Sequence, residues 1–247
     1  DLSIIKNGPA ERRHFLDSEL CQLDKVYLYQ LSNYNKVVLQ RNKLLKELYL
    51  HPDYREVLDV LDMQLVQYGS ALIQRRQTFA EELGEIVHRI HSQLSGGQEE
   101  MELKYEPNVT KDAFAQMLFA NRERDMRLKT TATGPHRDDI SFVVNGVDIR
   151  KFGSQGQQRT AALSLKLSEI ELVKRLIGDT PVLLLDDVLS ELDSGRQNYL
   201  LNSIENIQTL ITCTGLDEFV NHRFSINRIY KVTDGSVTVE NKQEADR

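Results

Sequence analysis

No stretch of the 247-residue sequence is long and apolar enough for a transmembrane helix, and no secretory signal is visible. Cysteine is also scarce, because only Cys21 and Cys213 are present and they lie in unrelated contexts. Two isolated thiols indicate reduced residues in a cytosol rather than a disulfide framework. We therefore expect a cytoplasmic protein without membrane contacts.

Positive charge is not in excess. The chain carries 31 Lys and Arg against 37 Asp and Glu, a formal net charge of −6 with a pI near 5.6. The composition as a whole thus gives no electrostatic argument for nucleic-acid binding, and any DNA contact would need a local patch. Three basic clusters are candidates, each equally explained as part of a solvated face: Arg12-Arg13-His14, Arg75-Arg76, and the group Lys129, Arg137, Arg150 and Lys151.

Several catalytic signatures are absent as well. No Cys/His spacing supports a zinc site, and no order of Ser, His and Asp supports a hydrolase triad. The phosphate-binding loop Gly-x-x-x-x-Gly-Lys-Ser/Thr does not occur either. Other parts of a nucleotide site are nevertheless present. Ser154–Gln158 opens a predicted long helix, and 186 − 154 = 32 residues later an apolar strand ends in Asp186-Asp187. This order and spacing predict the second half of an ABC-type nucleotide site.

Each element suggests a chemistry and has an ordinary alternative. The hydroxyl of Ser154 and free helix amides would bind a γ-phosphate, although a Ser/Gly turn also serves as a simple helix cap. Asp186 would hold Mg²⁺ and Asp187 would polarise a water, whereas the alternative is a solvated loop after a strand. The loop Ser190–Asp193 would cross to a second copy of the protein, or it would only cap the helix from Gly195.

A second turn has the letters of the ABC signature but the wrong surroundings. Leu94–Gln98 reads Leu-Ser-Gly-Gly-Gln, yet Glu99 and Glu100 follow it, and then the strand-like segment Met101–Glu106. No long helix begins there to direct amides at a phosphate. We interpret this turn as a glycine helix terminator and reject it as a nucleotide site.

The apolar spacing along the chain predicts an α/β protein. Residues 11–95 have a helical period, and the break at His51-Pro52-Asp53 predicts two long antiparallel helices. Downstream, buried apolar strands alternate with helices, which is typical of a sheet packed on both faces. The predicted elements are a helix at Thr110–Lys129, a strand at Asp139–Val144, a turn at Asn145-Gly146, a strand at Val147–Arg150, a helix at Gln155–Leu176, a strand at Val182–Leu185, a helix at Gly195–Ile204, a strand at Thr209–Thr212, and a hairpin of Ile226–Val232 and Ser236–Glu240.

Five strings together resemble the RecF family of bacterial DNA replication and repair proteins, which are SMC-like ABC ATPases. The resemblance covers nearly the whole chain, and it implies an α/β ABC-type head, here the second lobe, with an inserted α-helical arm. It further implies the end of the first lobe at 1–20, the arm at 21–109 and the second lobe at 110–247. The strings are Asn7–Asp17, Tyr34–Leu45, Gly134–Asp139, Phe152–Thr160 and Pro181–Asp193.

The resemblance implies that ATP and Mg²⁺ are sandwiched between two heads of an ATP-dependent homodimer. Thr214 stands where transporters carry a switch histidine, and His136-Arg137 is either a phosphate- or DNA-contacting pair or a structural salt-bridge turn. The implied roles are trans phosphate contacts for Ser154, Gly156 and Gln157, the metal ligand for Asp186, the general base for Asp187, and, for Ser190 and Asp193, the D-loop that crosses between the two heads.

The family resemblance also implies a function. Its members bind DNA, both double-stranded and at single/double-strand junctions, and with RecR and RecO they load RecA at gapped DNA in repair, replication restart and the SOS response. We expect weak, DNA-stimulated ATP hydrolysis from the full-length protein and none from this chain alone, which we interpret as a fragment without the phosphate-binding loop. The alternatives are another SMC-like head, or an interaction module whose carboxylates are inert.

Overall fold

The computed structural model describes residues 2–48, 55–189, 192–213 and 227–240. The chain divides into two compact units, Asp1–Pro181 and Val182–Arg247. This division falls inside the segment 110–247 that the sequence analysis assigns to one lobe, and the three-domain boundaries stay a prediction. In the described part of the chain, no helix combines the length and the apolar character that a membrane span requires.

Helices dominate the first unit. In chain order they are α1 (Leu2–Lys6), α2 (Pro9–Leu23), α3 (Lys25–Glu47), α4 (Arg55–Leu94), α5 (Phe114–Ala120), α6 (Arg122–Leu128), α7 (Ile149–Phe152) and α8 (Gln155–Ile177), with one 3₁₀ turn at Pro135–Arg137. The strands of this unit are β1 (Met101–Glu106), β2 (Asp139–Val144) and β3 (Val147–Asp148). The predicted helical character of residues 11–95 is therefore confirmed by α2, α3 and α4, with an additional break at Asp24, whereas the predicted break at His51-Pro52-Asp53 lies outside the described residues.

The two long helices α3 and α4 pack against each other in antiparallel order. Arg41 near the end of α3 pairs with Asp62 early in α4, whereas Arg76 far along α4 bonds Tyr27 in the first turn of α3. Asp24 begins α3 as an N-cap, since its side chain accepts from the amides of Val26 and Tyr27. The predicted pair of antiparallel helices is thus confirmed.

The three strands of the first unit form one antiparallel sheet in the order β1–β2–β3. Tyr105 faces Ile140 in the first ladder, and Asn145-Gly146 turns the chain into β3 with both φ angles positive, as predicted. The predicted strand Val147–Arg150 is too long, because Asp148 accepts from the amide of Arg150 and starts α7.

The single helix predicted at Thr110–Lys129 is wrong. Two short helices, α5 and α6, stand there and meet at Asn121. The side chain of Asn121 donates to the carbonyl of Met117 at 2.9 Å and to the Thr133 hydroxyl at 3.0 Å. Such side-chain bonds compete with the helical backbone pattern, which accounts for the break.

The second unit contains β4 (Leu183–Asp186), α9 (Ser194–Ser203), β5 (Thr209–Thr212), β6 (Ile229–Thr233) and β7 (Ser236–Glu240). Strands β4 and β5 are parallel, and β6 and β7 form an antiparallel hairpin whose turn is at Asp234-Gly235. The predicted start of that hairpin, Ile226, lies outside the described residues.

The expectation of a sheet packed on both faces holds for β2, where Ile140, Ser141 and Phe142 are all buried, but it is wrong for the described β4–β5 pair. Side chains alternate between the faces of a strand, and in β4 only Leu183 and Leu185 are buried. Leu184 is 69% exposed and its neighbour on β5, Leu210, is 55% exposed. One face of the β4–β5 pair is therefore apolar and uncovered.

Candidate nucleotide site

Ser154 begins α8 with a complete capping box. Its hydroxyl accepts from the amide of Gln157 at 3.2 Å, and the Gln157 side chain accepts from the amide of Ser154 at 3.0 Å. The sequence Ser-x-x-Gln has the residue types that this reciprocal arrangement requires. Ser154 and Gly156 are exposed, and Gln157 is half-buried.

The first turn of α8 keeps donors available to solvent. The amides of Gln155 and Gly156 have no hydrogen-bond partner within the described ranges, and both residues are exposed. Gly153 is needed just before the cap, because a Cβ there would lie 2.6 Å from the carbonyl oxygen of Ile149. Free amides at a helix N-terminus favour anions, and so this turn can bind a phosphate.

In the second unit, Asp186 ends β4 and both it and Asp187 are exposed. Asp187 has a φ of 50°, in the left-handed region that Asp tolerates better than most residues. Its amide donates to the carbonyl oxygen of Thr212 at 3.2 Å and to the Thr212 hydroxyl at 3.1 Å. The same hydroxyl donates to Oδ1 of Asp186. Thr212 on the neighbouring strand therefore fixes both carboxylate-bearing residues.

A magnesium ion fits this donor set. Mg²⁺ is usually held by one or two carboxylates and retains several waters and substrate phosphates as ligands. Asp186 offers one exposed carboxylate at the carboxyl end of a parallel strand, where ligands bind in α/β sheets. Within the described residues no cluster of three His, Cys, Asp or Glu could hold a metal alone, so further ligands would come from phosphate and water.

Asp193 lies beyond these carboxylates and caps α9. It accepts from the amide of Arg196 at 3.0 Å and from the Arg196 guanidinium at 2.6 Å. The backbone hydrogen bond from Arg196 lowers the pKa of Asp193, and the Arg196 charge acts in the same direction. The capping role is thus present in this structure. Ser190 and Thr214 lie outside the described residues, and their predicted roles stay predictions.

The turn at Gly134–Asp139 is a hub of internal bonds. His136 takes part through both ring nitrogens, with Nδ1 at 2.7 Å from the Tyr34 hydroxyl and Nε2 at 2.9 Å from the carbonyl oxygen of Thr131. Burial lowers the pKa of His136 to about 4, and the hydrogen bond to the Thr131 carbonyl only partly offsets it. Arg137 differs because its side chain is exposed and makes no ion pair among the described residues. Of the two predicted contact residues, only Arg137 faces solvent freely.

Carboxylates of the same turn hold arginines from three other elements. Asp138 is fully buried and pairs with Arg76 at 3.0 Å, while Asp139 pairs with Arg12 at 2.6 Å and Arg150 at 3.0 Å. Burial raises the pKa of Asp138, and the charge of Arg76 opposes that shift. Of the candidate basic clusters, Arg12, Arg76 and Arg150 are therefore used internally. The solvent-facing cations among the candidates are Lys129, Arg137 and Lys151.

The solved structures that resemble this chain define its class. It matches the head domain of Smc from Pyrococcus furiosus, solved with an extended coiled coil and bound to the C-terminal domain of ScpA. The TM-score is 0.53 and the identity 14%, over 96% of this chain and 58% of that one. At that identity the match shows the fold alone. That fold is the α/β head fold of SMC proteins, as predicted.

Sequence relatives identify the family more narrowly, although no family model matches. The chain is 61% identical to the DNA replication and repair protein RecF of Agathobacter rectalis over 97% of its length and 66% of the relative. For RecF of Lachnospira eligens the values are 59%, 98% and 67%. A solved structure of the recombination mediator RecF with ATP, in the RecFOR pathway, matches with a TM-score of 0.85 and 35% identity, over 97% of this chain and 65% of that one.

The chain therefore belongs to the RecF family, which confirms the resemblance found in the sequence. It spans about two thirds of the length of the curated relatives that it matches.

The sequence does not predict the contacts that two residues, Thr212 and Glu99, make at the site. Thr212 was predicted only as part of a strand, and Glu99 only as a reason to reject the turn before it. Glu99 accepts from the side-chain amide of Gln157 at 2.9 Å, although the two residues are 58 positions apart. No local pattern predicts such a contact, because it depends on how α4 and α8 pack.

Proposed function

We propose that this chain supplies the signature turn to one ATP site and the metal-binding carboxylates to the other ATP site of a dimeric RecF-type recombination mediator. The protein would bind DNA in an ATP-dependent manner and act in DNA repair and replication restart. One observation carries the proposal: Ser154 caps α8 through Gln157 while the amides of Gln155 and Gly156 stay free at an exposed turn. The names of the relatives and the ATP in a matching RecF structure support it.

In this proposal ATP is sandwiched in a head-to-head homodimer. Ser154, Gly156 and Gln157 contact the γ-phosphate of a nucleotide held by the partner head, since free amides and a hydroxyl favour an anion. Asp186 binds Mg²⁺, and Asp187 accepts a proton from the attacking water as the general base. Asp193 and Ser190 belong to the loop that crosses to the partner, and Thr214 occupies the switch position.

The chain alone carries no phosphate-binding loop, and so we expect no hydrolysis without the remainder of the protein. In the whole protein hydrolysis is weak and DNA-stimulated. Exposed Arg137, Lys129 and Lys151 contact DNA phosphates, which include those at single/double-strand junctions. His136 supports this surface by ordering the turn. RecR and RecO act with the protein to load RecA at gapped DNA during the SOS response in the cytoplasm.

Dimerisation tests the trans contact directly. In a protein of the relatives' full length that includes this chain, Ser154→Arg should abolish ATP-driven dimerisation in sedimentation and leave ATP binding by the monomer unchanged. Gln98→Arg is the matched control, because it places the same side chain in the exposed turn that has the signature letters but ends a helix. A Ser154→Arg protein that dimerises with ATP as the native protein does would refute the proposal.

A further inference from the structure

Glu99 follows directly after the turn Leu94–Gln98 that ends α4. Gly96 and Gly97 have φ angles of 64° and 77°, and the amide of Gly97 donates to the carbonyl oxygen of Ser92 at 2.7 Å. These are the features of a glycine-terminated helix, as the sequence predicts. The hydroxyl of Ser95 then accepts from the amide of Glu99 at 3.1 Å, which fixes the backbone of Glu99 at the end of α4.

The carboxylate of Glu99 joins two helices of the first unit. Oε1 accepts from Nε2 of Gln157 at 2.9 Å, and Oε2 lies 3.2 Å from Nε2 of His91 in the last turn of α4. His91 is fully buried, and its Nδ1 is 2.9 Å from the hydroxyl of Ser164 on α8. The Glu99 side chain is only 18% exposed. The contact is therefore part of the packing between α4 and α8.

This contact determines the orientation of the Gln157 side chain. An ionised carboxylate only accepts hydrogen bonds, and so the amide nitrogen of Gln157 must face Glu99. The amide oxygen then faces the backbone N–H of Ser154, which is the bond that completes the capping box. A Gln157 amide without Glu99 could rotate, and Ser154 would lose an acceptor that orients the turn.

We propose that Glu99 is a positioning residue for the anion site at the start of α8. It holds Gln157 in the rotamer and amide orientation that order the Ser154 turn, and it ties that turn to the end of α4. Because the residue acts on the trans phosphate contacts, this inference rests on the proposed function. In this proposal the turn Leu94–Gln98 binds no nucleotide itself, but it fixes the position of Glu99.

The test begins with this chain alone, by amide hydrogen exchange resolved to single residues. Glu99→Ala should speed exchange at Ser154 and Gln157 by about five- to tenfold, as expected for one lost hydrogen bond. Glu99→Gln should restore most of the protection, since its side-chain oxygen can still accept. Glu100→Ala is the control, because the neighbouring Glu100 is exposed and its side chain makes no hydrogen bond or ion pair within the described residues.

Two exchange results would overturn the proposal. One is native exchange at Ser154 and Gln157 in the Glu99→Ala chain. The other is a uniform rise that includes the buried residues of α8 such as Leu172, because that would mean general loosening.

A second measurement connects the contact to nucleotide binding. In a protein of the relatives' full length, Glu99→Ala should raise the ATP concentration for half-maximal dimerisation about tenfold and leave monomer ATP binding unchanged. Dimerisation at the native ATP concentration would overturn the positioning role. If even the native protein fails to dimerise with ATP, the proposed function fails, and the exchange data alone then decide whether Glu99 orders the turn.

Discussion

Replacing Arg76 with methionine should destabilise the first unit strongly. Arg76 lies in the middle of α4 and is 2% exposed. Its guanidinium donates to Tyr27 at 2.9 Å, to the carbonyl oxygen of Pro135 at 2.6 Å, to Asp138 at 3.0 Å and to Asp17 at 2.7 Å. Methionine fills part of the volume but satisfies none of these acceptors.

The magnitude follows from what remains buried. Asp138 is fully buried, and without Arg76 its remaining partners are the neutral donors Tyr105 and the amide of Asn108. Removing one partner of a buried ion pair costs about 3–5 kcal/mol, because an uncompensated charge is left behind. At about 2–4 °C per kcal/mol for a domain of this size, the melting temperature should fall by roughly 6–20 °C.

Arg75→Met provides the control for this loss. Arg75 pairs with Asp24 at 3.3 Å, and both side chains are 28% exposed. Ion pairs near the surface contribute about 0–1 kcal/mol, so the melting temperature should change by less than about 4 °C. Calorimetry or thermal circular dichroism of the two variants decides the matter. Equal melting temperatures for Arg76→Met and the native chain would refute the interpretation that the buried bonds of Arg76 stabilise the first unit. Arg76 would then again be a candidate for DNA contact.

Two further predictions concern His136 and Thr212. Burial lowers the pKa of His136 to about 4 in the folded chain, against about 6.5 in the unfolded chain. The neutral ring therefore contributes fully to the free energy of unfolding above about pH 6.5, and this contribution is lost as the pH falls toward 4. The free energy of unfolding from urea titrations should fall by about 2 kcal/mol between roughly pH 7.5 and pH 5, and His136→Asn should remove that part of the pH dependence. An unchanged pH dependence in His136→Asn would contradict the assignment of this loss to His136. Thr212→Val in the full-length protein should lower ATP turnover by about 10- to 100-fold with ATP binding retained, whereas Thr212→Ser stays near native, because two hydrogen bonds depend on the hydroxyl. Turnover within twofold of native for Thr212→Val would contradict the positioning role.

Much of the fold follows from periodicity in the sequence. The apolar stripe of α3 and α4, the alternation in β2 and the Asn145-Gly146 turn each encode a local geometry, and the structure contains all three. The break at Asn121 was missed because its cause is a hydrogen bond to Thr133, which only tertiary packing brings near. The exposure of Leu184 on β4 is not predictable from the strand itself, because an apolar strand has the same sequence whether one of its faces or both are covered.

The candidate site also combines contacts that a local sequence pattern predicts with contacts that depend on tertiary packing. Ser154 and Gln157 lie three residues apart in one turn, and a capping box is visible in their spacing. Arg76 and Asp138 are separated by 62 positions, and Asp186 and Thr212 by 26. Nothing local in a single sequence distinguishes buried Arg76 from its half-buried neighbour Arg75. The difference between Arg76 and Arg75 comes from the packing of α4 against the Gly134–Asp139 turn.

The two turns with signature letters show why a motif needs its surroundings. Ser154–Gln158 precedes a helix, so its free groups are N–H donors with a partial positive charge, which suits an anion. Leu94–Gln98 follows a helix, so the groups that need partners there are carbonyl oxygens, which Gly96 and Gly97 help to satisfy. The position of each turn at the start or the end of its helix therefore gives the two turns opposite electrostatic character. Because the second turn ends beside the first turn of α8, Glu99 can bond Gln157, and the segment that follows α4 contacts the start of α8.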